Sequence, residues 1–221
     1  MRRPKAQAAL GAVATAAAGI LLLAPSIASA QDQALKPLLE GPALVDALRA
    51  GGLVILIRHM STQDSAPEAQ TDLDPGCVDQ RNLSARGRQE ARDLGAAFKR
   101  LGIPVGSVLT STYCRCVDTG NLAFGKATPS EELAVFDELS APEKEARGKL
   151  IRKLLNTAPK EGTNTILITH TGTLLYSFGL QTQPEGIAHV FRPAEFGNAI
   201  YLGRVTPEQW PALAVSTDAK S

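Results

Sequence analysis

Two short stretches set the chemistry this chain could perform. Arg58-His59 follows the apolar run 53–57, and Thr169-His170 follows the apolar run 166–168. Unbroken runs of this length read as strands buried on both faces, as in a parallel sheet. Side chains at the carboxyl ends of such strands leave the core at the edge where ligands bind. A further cation, Arg115, follows the run 105–109 and falls in the first turn of a helix expected to begin near Thr112. Two guanidiniums and two imidazoles gathered in one crevice would repel one another without an anion. Arginine forks match phosphate oxygens in pairs. The helix starts after Ser84, Thr112 and Thr171 can turn backbone N–H groups toward the same place. The guest that suits this set is a phosphoryl group, whose transfer asks mainly for positioning and charge stabilisation. One imidazole would attack phosphorus and the other would hydrogen-bond an equatorial oxygen. A carboxylic acid would protonate the departing alkoxide, and water would then release phosphate.

The elements that must position these groups follow from periodicity. Residues 38–50 carry Leu39, Ala43, Leu44, Ala47 and Leu48 at helical spacing, and Gly51-Gly52 ends the helix. After the first strand, residues 61–82 are rich in Asp, Gln, Pro and Gly without a period, a long loop expected over the site. Ser84 is a helix N-cap. Ala91, Leu94, Phe98 and Leu101 then mark an amphipathic helix ended by Gly102 and Pro104. Residues 105–109 form a second strand, and 133–136 are read as a short third strand leading to Asp137-Glu138. Residues 144–155 form a charged helix and 165–168 a fourth strand, with a helix after it. Residues 199–202 and 213–215 look like a late hairpin joined through Pro207 and Pro211. Alternating strands and helices give an α/β domain with a mainly parallel sheet.

Composition bounds the class. Met1-Arg2-Arg3-Pro4-Lys5, an apolar alanine-rich stretch from Ala8 to Ala24, and Ala28-Ser29-Ala30 match a secretory signal peptide over residues 1–30. The domain then spans 31–221, the expected location is secreted or periplasmic, and the mature part has no membrane span. The net charge of +1 falls to about −2 when Arg2, Arg3 and Lys5 are removed. That makes nucleic acid and anionic membrane poor partners. Three cysteines in an exported chain suggest one disulfide and one leftover thiol. Cys114 and Cys116 are badly placed to bridge each other on a strand or a helix, which favours a bridge from Cys77 to one of the two; Cys114 is the partner chosen, against three reduced thiols.

The motifs Leu56-Ile57-Arg58-His59, Asn82-Leu83-Ser84 with Gly87, Thr110-Ser111 with Arg115 and Thr119, and Thr169-His170 with Gly172 together resemble the histidine phosphatase superfamily, the phosphoglycerate-mutase-like group. They occur in that family's order. The resemblance implies a three-layer α/β sandwich of phosphoglycerate mutase type, a phosphohistidine intermediate at His59, a pocket of Arg58, Arg115 and His170, and no cofactor or metal. It implies a small phosphomonoester as substrate. By order along the chain Glu138 is the acid, with Asp137 and Asp64 as rivals. Met60 stands where mutase-type members carry Gly, and the Gly-Trp-Glu-Gly-like signature of true mutases is missing after Glu138, which points to a phosphatase. The cysteine-bearing loop and the export signal are similar to those of small secreted bacterial members, including lipopolysaccharide-core heptose phosphate phosphatases.

The remaining polar residues carry weaker expectations. Arg81 either reaches the phosphate or pairs with Asp79. Thr62 and Gln63 lie close enough to His59 in sequence to touch phosphate, and Thr171, at the helix start after His170, is also expected to bind it. His189 has no such company and reads as surface or packing. A zinc hydrolase would need close ligand spacing that the histidines and cysteines lack. A binding module of the same fold without turnover is the competing class. Oligomeric state has no signature in the chain.

Overall fold

The computed structural model describes residues 35–63, 75–136, 139–194 and 198–218. The expected signal peptide, Asp64, Asp137 and Glu138 lie outside the described residues. Helix α1 spans Gly41–Ala50, β1 Val54–Arg58, α2 Ala85–Leu101, β2 Val105–Thr110, α3 Cys114–Phe124 and β3 Thr128–Pro129. Then come α4 Ala141–Asn156, β4 Asn164–Thr169, α5 Thr171–Phe178, β5 Ala188–Arg192, β6 Ile200–Val205 and α6 Gln209–Asp218. The six strands form one sheet in the order β3-β2-β4-β1-β5-β6. The first four are mutually parallel, and β5 is antiparallel to both of its neighbours.

Because side chains alternate along a strand, each central strand feeds two cores. Ile55 and Ile57 of β1, Ile166 and Ile168 of β4 and Val190 of β5 pack with Leu44, Leu48, Leu94, Phe98 and Trp210. Val54, Leu56, Leu167 and Phe191 face the other way, against Ile151, Leu155 and Leu174. The result is three layers, with α1, α2, α3 and α6 on one face of the sheet and α4 and α5 on the other. All five residues of β1 are buried, as the unbroken apolar run required. Among the described residues no helix is long and apolar enough to cross a membrane.

Two expected elements differ. Residues 133–136 are not a strand. The pairing with β2 is made by Thr128–Pro129, and a 3-10 turn at Glu131–Leu133 follows it. Leu133 and Phe136 are fully buried because that turn tucks them under the sheet, and the same burial produces an apolar spacing that imitates a strand. The late hairpin exists but is built from β5 and β6. Residues 213–215 belong to α6, whose Trp210 and Ala214 sit one turn apart against the core. Pro211 falls within the first turn of that helix, where its missing N–H costs no hydrogen bond.

Candidate active site

The parallel strands deliver their exits to one edge. Arg58 is paired in register with Thr169, and the chain beyond each strand stays tied to its neighbour. The N–H of His59 donates to Thr169 O at 3.0 Å, and that of Ser111 to Ile168 O at 2.8 Å. The rings of His59 and His170, 111 positions apart in sequence, lie with centroids 5.5 Å apart and tilted at 60°. Arg115, in the first turn of α3, reaches Nδ1 of His170 at 3.1 Å. All four side chains are buried. The structure thus brings together the Arg58, His59, Arg115 and His170 singled out in the sequence.

Partner chemistry fixes the imidazole tautomers. Nδ1 of His59 lies 2.9 Å from the carbonyl of Met60. A carbonyl only accepts, so Nδ1 holds the proton and Nε2 carries a free lone pair. Burial pushes the pKa of His59 down to about 3, the Met60 carbonyl opposes this, and the guanidiniums of Arg115, Arg58 and Arg81 add to the lowering. His170 is pushed down to about 2, first by burial and then by Arg115. Both rings are therefore neutral, and one of them offers an unprotonated nitrogen.

The cations are incompletely paired. Nε of Arg58 and Nε of Arg115 are buried without a hydrogen-bond partner. Arg58 gives its other nitrogens to Thr182 O at 2.8 Å and to Glu185 at 2.7 Å. Arg81, with a side chain 53% exposed, stands at the rim and meets Glu185 at 3.4 Å. Three guanidiniums around one carboxylate leave an excess of two positive charges among the described residues, which matches the charge of a phosphate monoester near neutrality.

Several motif residues build the site without entering it. Thr119 Oγ1 donates to Arg115 O at 2.7 Å and accepts the N–H of Met60 at 3.2 Å. This joins the exit of β1 to α3 and explains the four-residue step from Arg115 to Thr119. Ser84 caps α2 by accepting the N–H of Gly87 at 3.0 Å, while its own N–H donates to Ser61 O at 3.0 Å. A Cβ on Gly87 would stand 1.9 Å from that same Ser61 oxygen, so α2 can lie against the strand exit only with glycine there. Cys77 and Cys114 form a disulfide, and Gln80 Oε1 accepts the N–H of Cys114 at 3.0 Å. Together these fasten the segment before Arg81 to the start of α3.

Other polar residues lie around this cluster. Thr62 gives its N–H and its hydroxyl to Glu185, at 2.8 and 3.1 Å. Arg81 pairs with Glu185. Thr171 is the half-buried first residue of α5. Of the two readings of His189, surface or packing, it is packing that holds: the ring is fully buried between Tyr201 Oη at 3.2 Å and Gln181 O at 2.8 Å. Two site residues have no sequence signal. Glu185 stands on an aperiodic loop. Tyr113 places its ring edge-on to His170 at 5.3 Å and under the Arg115 guanidinium at 4.7 Å. The third cysteine, Cys116, is buried with Sγ 3.6 Å from His170 Nε2, and burial raises its pKa to about 12, so it stays a thiol. Among the described residues no group of His, Cys, Asp and Glu could hold a metal ion.

The model of the histidine phosphatase superfamily (branch 1) matches residues 54–161. The ecdysone phosphate phosphatase of Bombix mori, solved in complex with tungstate, superposes with a TM-score of 0.54 at 16% identity, over 71% of this chain and 93% of its own. The protein histidine phosphatase SixA complexed with tungstate gives 0.49 at 19% identity, over 71% and 98%. A phosphoserine phosphatase from Entamoeba histolytica gives 0.47 at 14%, over 71% and 98%. No curated protein sequence matches the chain significantly.

Proposed function

We propose that this chain, which belongs to the histidine phosphatase superfamily through residues 54–161, hydrolyses small phosphomonoesters through a phosphohistidine formed on His59. One observation carries the reading: an unprotonated Nε2 on His59, 5.5 Å ring to ring from His170, inside a cage of three guanidiniums. Phosphate oxygens bind Arg58 and Arg115 and are met at the rim by Arg81. The bound anion lifts the basicity of His170, which then donates a hydrogen bond to an equatorial oxygen. Nε2 of His59 attacks phosphorus in line with the departing alkoxide. Glu138 is the acid that protonates that alkoxide, a role supported by its order along the chain, five positions after Leu133, whose carbonyl accepts from Thr169 Oγ1 at 2.9 Å. Water then releases phosphate and restores the free imidazole.

Export to an oxidising compartment is part of the reading, supported by the basic and apolar leader and by the Cys77–Cys114 bridge. There the substrate is a small metabolite or an envelope sugar phosphate. The purified protein should release phosphate from p-nitrophenyl phosphate in EDTA and acquire acid-labile phosphate during turnover. His59→Ala should do neither. A protein that binds orthophosphate but never turns over would instead be a binding module of the same fold.

A further inference from the structure

Glu185 occupies a place the phosphate cage does not obviously need. Its carboxylate accepts from Arg58 Nη2 at 2.7 Å, from Arg81 Nη2 at 3.4 Å and from the N–H of Thr62 at 2.8 Å. Its Oε1 lies 4.0 Å from Nδ1 of His59. That is the protonated nitrogen on the far side of the ring from the attacking lone pair. The loop carrying it is held by the same two residues it faces. Gly186 N–H donates to His59 O at 2.9 Å, and Arg58 N–H donates to Ile187 O at 3.1 Å.

The reaction gives this position a consequence. When Nε2 forms its bond to phosphorus, the P–O bond breaks and its electron pair leaves with the alkoxide. Nδ1 keeps its proton, so the ring acquires a positive charge. That charge develops beside Arg58, Arg81 and Arg115, all of which oppose it. We infer that Glu185 is a positioning residue that stabilises the phosphoimidazolium of His59 from behind while weakening the hold on phosphate itself. It takes no proton and forms no bond. Its negative charge favours the charged ring and opposes an arriving phosphate dianion, so it acts on the transition state and the ground state in opposite senses. This inference rests on His59 being the nucleophile.

The opposite senses give the test. Glu185→Gln keeps the shape and removes the charge. Its kcat should fall on the order of 10²-fold, less than the ~10⁴-fold lost when a carboxylate bonded directly to an imidazole is neutralised. Its inhibition constant for orthophosphate should fall several-fold. A purely structural Glu185 would move the two together, with slower turnover and weaker phosphate binding, and that result overturns the inference, as does an unchanged kcat. If Glu185→Gln does not fold, Glu185→Asp, which draws the charge back, should show the same two signs at smaller size. Weaker orthophosphate binding in that variant is equally fatal. Native protein that makes phosphohistidine while the variants disagree removes only the role of Glu185; native protein that makes none removes the function and this inference together.

Discussion

Arg115 donates to Nδ1 of His170 across 3.1 Å, and that contact decides where the imidazole keeps its proton. A guanidinium has no acceptor, so Nδ1 accepts and Nε2 carries the hydrogen, which goes to Ser111 Oγ at 2.7 Å. His170 is thus neutral and doubly engaged. An anion entering between them would accept from Arg115, and it would accept from the ring once Nδ1 takes up a proton.

Arg115→Ala should therefore do two things. Turnover should fall on the order of 10²–10³-fold in kcat, as when other preorganised donors to developing charge are removed. The His170 pKa should rise from its depressed value, because the guanidinium beside the ring that opposes its protonation is gone. Steady-state kinetics reads the first and NMR titration of the ring the second. A change confined to KM would assign Arg115 to uniform binding.

Gly87→Ala tests the docking of α2 on the strand exit. The added methyl meets backbone rather than a movable side chain, so residues 59–61 or the helix must shift. A loss of about 1–3 kcal/mol in unfolding free energy, read from denaturant titration, is expected from overpacking. Turnover should drop further than stability explains, because Ser61 is two residues from His59.

Reduction of Cys77–Cys114, or its replacement by a pair of serines, opens a loop with a sequence separation of 37. Closure of that length is worth about 3–4 kcal/mol on the chain-entropy account. The melting temperature should fall accordingly. KM should rise more than kcat falls, since the freed segment carries Arg81 at the rim.

Acid should destabilise the fold through its buried imidazoles. His59, His170 and His189 have folded pKa values lowered from 6.5 to about 3, 2 and 4. Below 6.5 the unfolded chain binds protons that the folded chain refuses. Stability is thus complete above 6.5 and declines as pH falls toward these lower values. His189 lies outside the catalytic cluster. It should contribute roughly 1.4 kcal/mol per pH unit between 6.5 and about 4. Urea midpoints measured at pH 7, 6 and 5 should fall less steeply in His189→Gln.

What could be read from sequence divides along the range of the interactions. Arg58, His59 and His170 were legible because a buried strand announces itself as an apolar run and its exit is the next residue. Ser84 and the face of α2 follow from local periodicity. Glu185 was not legible. It lies 127 positions from Arg58 on a loop with no pattern, and a carboxylate there reads like any exposed one until the sheet order is known. Tyr113 hid for a related reason, since its partner His170 comes from another strand. The short strand was misplaced because Leu133 and Phe136 are buried by a turn, and burial rather than pairing sets their spacing. Residues 213–215 misled in the same way, as three apolar residues whose helical partner Trp210 precedes a proline.

The direction of β5 has a consequence for what can gather at this edge. In a wholly parallel sheet, only segments departing from strands face the ligand side. Since β5 runs against β1, the chain approaching it arrives there, and Glu185 comes with that incoming segment. One reversed strand thus supplies a carboxylate that a sheet of uniform polarity would have placed at the opposite rim.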